Sequence, residues 1–382
     1  VKIALVILHS DPARGGAERY TVDLARALAG RGHDVSLVAS TGSDAASPVP
    51  VQVLPTRGAT RLRRYVSFLD AVDDHLAKVK YDVVHAMLPV RSCDLYHPHA
   101  GLAAEAVQTG HTKHAGALQR GLARFANRLN AKRQRFAAIE HDLLAGPASP
   151  VVLCLSDYVK QTVRRHYALP DERLATLFNA VDLHRFDPNR IPGAGQDLRH
   201  RLGIGPAKVV ALMIAQDFER KGLREAIEAV ARLGNPRLVL LVVGKPSPDK
   251  YAALARRVGV AEQVVFAGPT PDPYPFYAAA DFFVLPTRHD PCSLVVLESL
   301  AMGVPVVSTV FNGACEIMRT GEHGFVLDDP GDVSRLANAM GHLACDSDFQ
   351  AQCAAACLRL RPALAYDAHV DRLLRLYQAV PR

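Results

Sequence analysis

Asp290 and Glu298 stand with seven residues between them, Pro291-Cys292-Ser293-Leu294-Val295-Val296-Leu297. The pair lies between a strand-like run, Phe282–Leu285, and a helix-like run that ends at Ala301-Met302-Gly303. A strand, a short polar turn and a helix start leave backbone N–H groups without intrahelical acceptors, and an anion can sit there. One carboxylate falls in the loop and the other about a turn and a half inside the helix. A loop carboxylate can reach a sugar hydroxyl while the N–H groups hold phosphate and the helix carboxylate holds a ribose. The pattern suits the binding of a nucleotide sugar.

Other residues offer chemistry that fits beside it. Arg220 and Lys221 follow the apolar run Val209–Ala215 and precede a helical stretch, Leu223–Leu233. A guanidinium fork and an ammonium point charge at such a place can neutralise a diphosphate leaving group; a solvated charged turn is the plain alternative. Gly15 and Gly16, in the loop Asp11–Arg19, let backbone approach a diphosphate at another helix start, or they make only a tight turn. The chain holds no Gly-x-Gly-x-x-Gly and no Gly-Lys-Ser/Thr in this loop, so neither dinucleotide nor Walker-type binding is indicated. His97 and His99, around Pro98, can hydrogen-bond a sugar hydroxyl or move a proton, or they can be surface histidines without chemistry. Asp346-Ser347-Asp348 reads as a helix cap. No zinc spacing of His with Cys occurs, and no metal site is expected.

Short apolar runs alternate with helical stretches from end to end, the pattern of parallel α/β architecture. Strands are predicted at Ile3–Leu8, Val35–Ala39, Val51–Leu54, Val83–Ala86, Val151–Leu155 and Ala175–Phe178. After a linker rich in Pro and Gly, Phe186–Gln196, they recur at Val209–Ala215, Leu238–Val243, Val264–Ala267, Phe282–Leu285, Val306–Thr309 and Phe325–Leu327. Two doubly wound domains facing one cleft follow, over residues 1–187 and 188–362, with residues 363–382 crossing back as a C-terminal helix. Ligands of open parallel sheets bind beyond the carboxyl ends of the strands, so the loops carrying Gly15 and Asp290 would both face the cleft.

The chain has 382 residues, 49% of them hydrophobic, enough for two globular cores. No apolar run reaches the roughly 18 residues of a membrane span. The opening run Val1–Leu8 reads as a first buried strand rather than a signal peptide. Seven cysteines in no metal-type pairs argue against a disulfide framework and suit a reducing cytoplasm. A net charge of +7 points to anionic partners, nucleotide phosphates or an anionic membrane. Leu118–Phe136 sharpens the second: Leu118, Leu122, Phe125, Leu129 and Phe136 share one helical stripe, and Arg120, Arg124, Arg128 and Lys132 run along another. Such a helix can lie on an anionic bilayer surface or pack its apolar face on its own domain.

In this order along the chain, the residues resemble the retaining glycosyltransferases of family 4, whose GT-B fold pairs two facing Rossmann-like domains. The family hallmark, two acidic residues with seven between, is met by Asp290 and Glu298. Gly15-Gly16-Ala17-Glu18, Arg220-Lys221-Gly222, Asn179-Ala180-Val181-Asp182 and Gly303-Val304-Pro305 support it, over nearly the whole chain. Within the family the chain is similar to the lipopolysaccharide-core glucosyltransferases, at Asp217-Phe218, Asp94-Leu95-Tyr96 and Asp171-Glu172-Arg173.

The resemblance implies an enzyme that moves a hexose, glucose by the nearest pattern, from a UDP-sugar to a glycolipid acceptor with retention of configuration. By it, Asp290, Arg220, Lys221 and His99 are catalytic, and His97 is a further sugar or acceptor contact. Gly15, Gly16, Arg173, Ser293, Leu294 and Glu298 bind the donor. No metal or other cofactor is implied, because the positive groups take over charge neutralisation; nor is nucleic acid. Asp290 departs from the family's Glu by one methylene. A GT-B nucleotide-sugar epimerase and a sugar-nucleotide-binding protein without activity are the competing readings.

Overall fold

The computed structural model describes residues 1–42, 47–109, 130–146 and 148–379. The chain forms two compact units: Val1–Asn179 with Tyr366–Arg382, and Ala180–Ala365.

Among the described residues of the first unit, seven strands lie in the order β3-β2-β1-β4-β5-β6-β7. They are β1 (Lys2–Val6), β2 (Asp34–Ala39), β3 (Val51–Val53), β4 (Val83–Ala86), β5 (Leu95–Tyr96), β6 (Val151–Cys154) and β7 (Leu174–Thr176). Every pairing is parallel. Parallel strands are covered on both faces, which is why β1 and β2 read as near-continuous apolar runs. β5 escapes the sequence pattern because two residues carry no period.

The second unit repeats the plan with six parallel strands, in the order β10-β9-β8-β11-β12-β13. These are β8 (Val209–Ile214), β9 (Leu238–Val243), β10 (Val264–Gly268), β11 (Phe282–Leu285), β12 (Val306–Thr309) and β13 (Gly324–Leu327). All six residues of β9 are buried. Asp346 caps the helix Ser347–Arg359 by accepting from the Phe349 N–H at 2.9 Å.

The division falls at Asn179/Ala180 instead of after Asp187, because the intervening residues are tied to the second unit. The Val181 N–H donates to the Leu364 carbonyl at 2.8 Å, and Arg361 donates to the carbonyls of Phe186 at 2.8 Å and Leu183 at 3.2 Å. Pro362 sits in the first turn of a short helix, Arg361–Leu364, where its missing N–H costs nothing. The next helix, Tyr366–Ala379, belongs to the first unit.

Residues 118–129 of the expected basic helix lie outside the described residues. The described part starts at Asn130, which caps the helix Ala131–Ala145. Phe136 is committed to the fold, stacking on Tyr65 at 4.0 Å.

Candidate functional site

Three loops of the second unit converge at the carboxyl ends of β8, β11 and β12, which are neighbours in the sheet. The strand order reverses between β8 and β11, and an open parallel sheet takes its ligand at such a switch point. The loop after β8 carries Arg220 and Lys221. Buried Phe218 anchors it, and Gly222, with φ of +78°, lets it turn into the helix Leu223–Leu233. A Cβ at Gly222 would run into the Pro286 carbonyl oxygen.

The loop after β11 is stitched to this turn. Arg220 donates from Nη1 to the His289 carbonyl at 2.6 Å, and the Arg288 N–H donates to the Arg220 carbonyl at 3.0 Å. On its other side, the Asp290 N–H donates to the Phe311 carbonyl at 2.8 Å, and the Gly313 N–H to the Asp290 carbonyl at 3.0 Å. Asn312 completes the clamp, its Oδ1 accepting from the N–H groups of Ser293 at 3.3 Å and Ala314 at 3.2 Å. The Ser293 N–H is therefore directed to Asn312 in this structure. The helix Leu294–Ala301 begins at the next residue; the N–H groups of Val296 and Leu297 donate to the Ser293 carbonyl at 3.2 Å, so those of Leu294 and Val295 are the ones at the open end of the helix.

At the centre, Lys221 and Asp290 form a buried ion pair. Burial works against the Asp290 charge, but Lys221, Arg220 and the Ser293 hydroxyl more than offset it, holding the carboxyl below the usual carboxylate value. Burial draws Lys221 below an ordinary lysine despite the pull of Asp290. Buried charges persist only when paired and hydrogen-bonded. A dianionic ligand entering here would supply Lys221 with a second anion and release Asp290 towards neutral hydroxyls. Glu298 lies farther along the helix, and its Oε2 accepts from the buried Tyr277 hydroxyl at 2.8 Å. Burial and the Glu298 charge raise that phenol well above its ordinary value, so it stays a donor.

In the first unit, Gly15 precedes the helix Gly16–Gly30 after β1, and His97 directly follows β5. The two places meet through Tyr20. Its ring lies 4.2 Å from His99 and 5.5 Å from His97, and the two imidazoles are 4.2 Å apart. His97 is buried, His99 half-buried, and the Nε2 atom of each is buried without a hydrogen-bond partner. The surface reading of these histidines is thus wrong. Burial holds both well below an ordinary imidazole, with neighbouring histidines adding to the effect.

Arg173 does not join this group. It closes the turn Asp171–Arg173 just before β7, and β7 runs parallel to β6 and the rest of its sheet. It therefore stands at the amino edge of the sheet, opposite the carboxyl edge that carries Gly15 and His97. Beside Pro98 lies a mostly apolar cavity of about 290 Å³, lined by Met87, Tyr96, Leu102, Phe136, Asn130 and Arg133 among others. Among the described residues no group of His, Cys, Asp or Glu is placed to hold a metal, and no helix is long and apolar enough to cross a membrane.

Residues 14–185 match the family described as Glycosyltransferase Family 4, and residues 208–346 match Glycosyl transferases group 1. The chain belongs to the family 4 glycosyltransferases. This glycosyltransferase is 27% identical to the lipopolysaccharide glucosyltransferase WaaG of Escherichia coli K12, over 84% of each chain. It is also 27% identical to a D-inositol 3-phosphate glycosyltransferase of Thermomonospora curvata, over 98% of this chain and 95% of the relative. The crystal structure of WaaG has the same GT-B fold, with a TM-score of 0.81 at 24% identity over 96% of this chain and 98% of that one. Anabaena HepE, crystallised with UDP-glucose, matches with a TM-score of 0.76 at 19% identity over 99% of each chain.

Tyr277 and Asn312 are the site residues that motif reasoning missed. Asn312-Gly313 lies just beyond β12, after Val310 and Phe311, and a polar residue before glycine past a strand's carboxyl end was the available clue. For Tyr277, in an apolar helix 21 residues before its partner, the sequence offers none.

Proposed function

We propose that this glycosyltransferase moves glucose from UDP-glucose to a glycolipid acceptor of the lipopolysaccharide-core type, retaining the anomeric configuration without a metal. The observation that carries the reading is the buried Lys221–Asp290 pair beside Arg220 at the switch point of the second sheet. The UDP diphosphate takes Lys221 and Arg220, assisted by the N–H groups that open the Leu294 helix and by the Gly15-Gly16 turn. Released from Lys221, Asp290 holds the sugar hydroxyls, and Glu298, steadied by Tyr277, holds the ribose. As the glycosidic bond breaks, charge grows on the leaving UDP, and fixed positive groups stabilise it more than the ground state. His99 contributes at the sugar, and His97 is a further sugar or acceptor contact. The named activity of WaaG and the UDP-glucose bound to HepE support this choice of donor and acceptor class.

The apolar cavity beside Pro98 and Arg133 supports an amphiphilic acceptor. The net charge and Arg120, Arg124 and Arg128 support peripheral attachment to an anionic membrane from the cytoplasmic side. The inositol-phosphate relatives favour a second reading, a phosphorylated cyclitol as acceptor. A thermal-shift screen of nucleotide sugars tests the donor, since a ligand that binds only the folded state raises apparent stability. UDP-glucose should give the largest shift; a larger shift with another nucleotide would replace it. Transfer assays with a truncated core glycolipid and with inositol phosphate then separate the two acceptors.

A further inference from the structure

Three buried polar side chains of the first unit, His85, His369 and Tyr377, lie outside the proposed chemistry. Two of them, His369 and Tyr377, come from the returning helix Tyr366–Ala379, yet each contacts the neighbourhood of His97 and His99. His369 Nδ1 lies 2.7 Å from the Phe178 carbonyl. A carbonyl has no proton to give, so Nδ1 carries the hydrogen and Nε2 is bare. The Tyr20 hydroxyl, 2.6 Å from that Nε2, must then donate to it. This fixes the ring on which His99 lies.

The same accounting applies at the other end of the helix. The Tyr377 hydroxyl lies 2.7 Å from His85 Nδ1, and His85 Nε2 lies 3.2 Å from His97 Nδ1. Were His85 Nδ1 the donor here, the hydrogen of the buried Tyr377 hydroxyl would be left without an acceptor, so the hydroxyl donates. His85 then bears its proton on Nε2 and passes it as a hydrogen bond to His97 Nδ1. The proton of His97 is left on Nε2, an atom buried with no acceptor.

We propose that Tyr377 is a positioning residue that fixes the tautomer of His97 through His85, so that His97 meets the substrate as an Nε2–H donor and never as a base. The inference rests on the reading of His97 and His99 as sugar-facing groups. It fits a polyol oxygen, which can accept that hydrogen bond. It also gives the C-terminal helix a part in the site of the first unit, beyond packing.

Nitrogen NMR of the full chain with labelled histidine tests it, His97 being assigned by the resonance lost in His97→Gln. The expected result is a single His97 tautomer protonated at Nε2, giving way to a mixture in Tyr377→Phe, which keeps the ring and removes only the hydroxyl. Protonation of His97 at Nδ1 in the parent protein, or an unchanged tautomer in the variant, would overturn the proposal. Should Tyr377→Phe fail to fold, His85→Leu removes the same relay and is read in the same way. In transfer assays Tyr377→Phe should lower kcat/KM several-fold with UDP affinity unchanged, because the relay ends at His97, which faces the sugar and not the diphosphate. Absence of transfer from any nucleotide sugar would count against the functional reading alone, since the tautomer is measured without substrate.

Discussion

Glu298 has one carboxylate oxygen on the Tyr277 hydroxyl, at 2.8 Å, and the carboxylate is proposed to hold the ribose. Glu298→Ala should weaken UDP binding by about 1.5–3 kcal/mol, roughly 10–150-fold, the range of hydrogen bonds to charged groups. Calorimetry on the folded variant checks it, and unchanged affinity would remove Glu298 from the site. Arg220→Ala should lower kcat more than it raises the UDP dissociation constant, since its work is done as charge develops. A raised KM with normal kcat would mean uniform binding instead. The acidic pair and the Arg-Lys pair were legible because their chemistry sits in one short stretch each. Tyr20 and His369 were not, because 349 positions separate partners that only the fold brings together. Arg173 misled because a motif does not say at which end of a strand it will stand.

Elements carry the site through the turn at Gly222 and the clamp at Asn312. Gly222→Ala would need a left-handed φ and would push a methyl into the Pro286 carbonyl. A loss of more than about 1 kcal/mol is expected, together with weaker UDP binding, because the turn that aims Lys221 must shift. Equilibrium unfolding followed by circular dichroism reads the first effect, since the chain has no tryptophan. Strand positions were legible wherever four or more apolar residues ran together, as in β9 and β11. The boundary between the units was not, because the segment Val181–Phe186 is assigned by hydrogen bonds to Leu364 and Arg361 far along the chain.

At the scale of the whole molecule, the histidines of the first unit give stability a pH dependence. Burial pushes His85 down to about 3 and His369 to about 4. Both are neutral in the folded protein at a pH where histidines of the unfolded chain, near about 6.5, take up protons. The unfolded state therefore binds more protons in this window, and stability falls as the pH drops from about 6.5 towards those values. Each such histidine contributes a slope of about 1.4 kcal/mol per pH unit there. Urea unfolding at pH 7, 6 and 5 should show the loss, and His369→Phe should remove the share of one histidine, about 1.4 kcal/mol per pH unit. A flat profile between pH 6.5 and 5 would mean that the cluster is hydrated.

Retaining transfer of glucose from UDP-glucose can be followed by proton NMR of the anomeric signals during turnover. With a truncated lipopolysaccharide-core acceptor, the UDP-glucose signal should be replaced by that of an α-linked glucoside as UDP accumulates, with EDTA making no difference and Asp290→Ala abolishing the change. A β-linked product, an epimerised sugar still attached to UDP, or full activity in Asp290→Ala would contradict it.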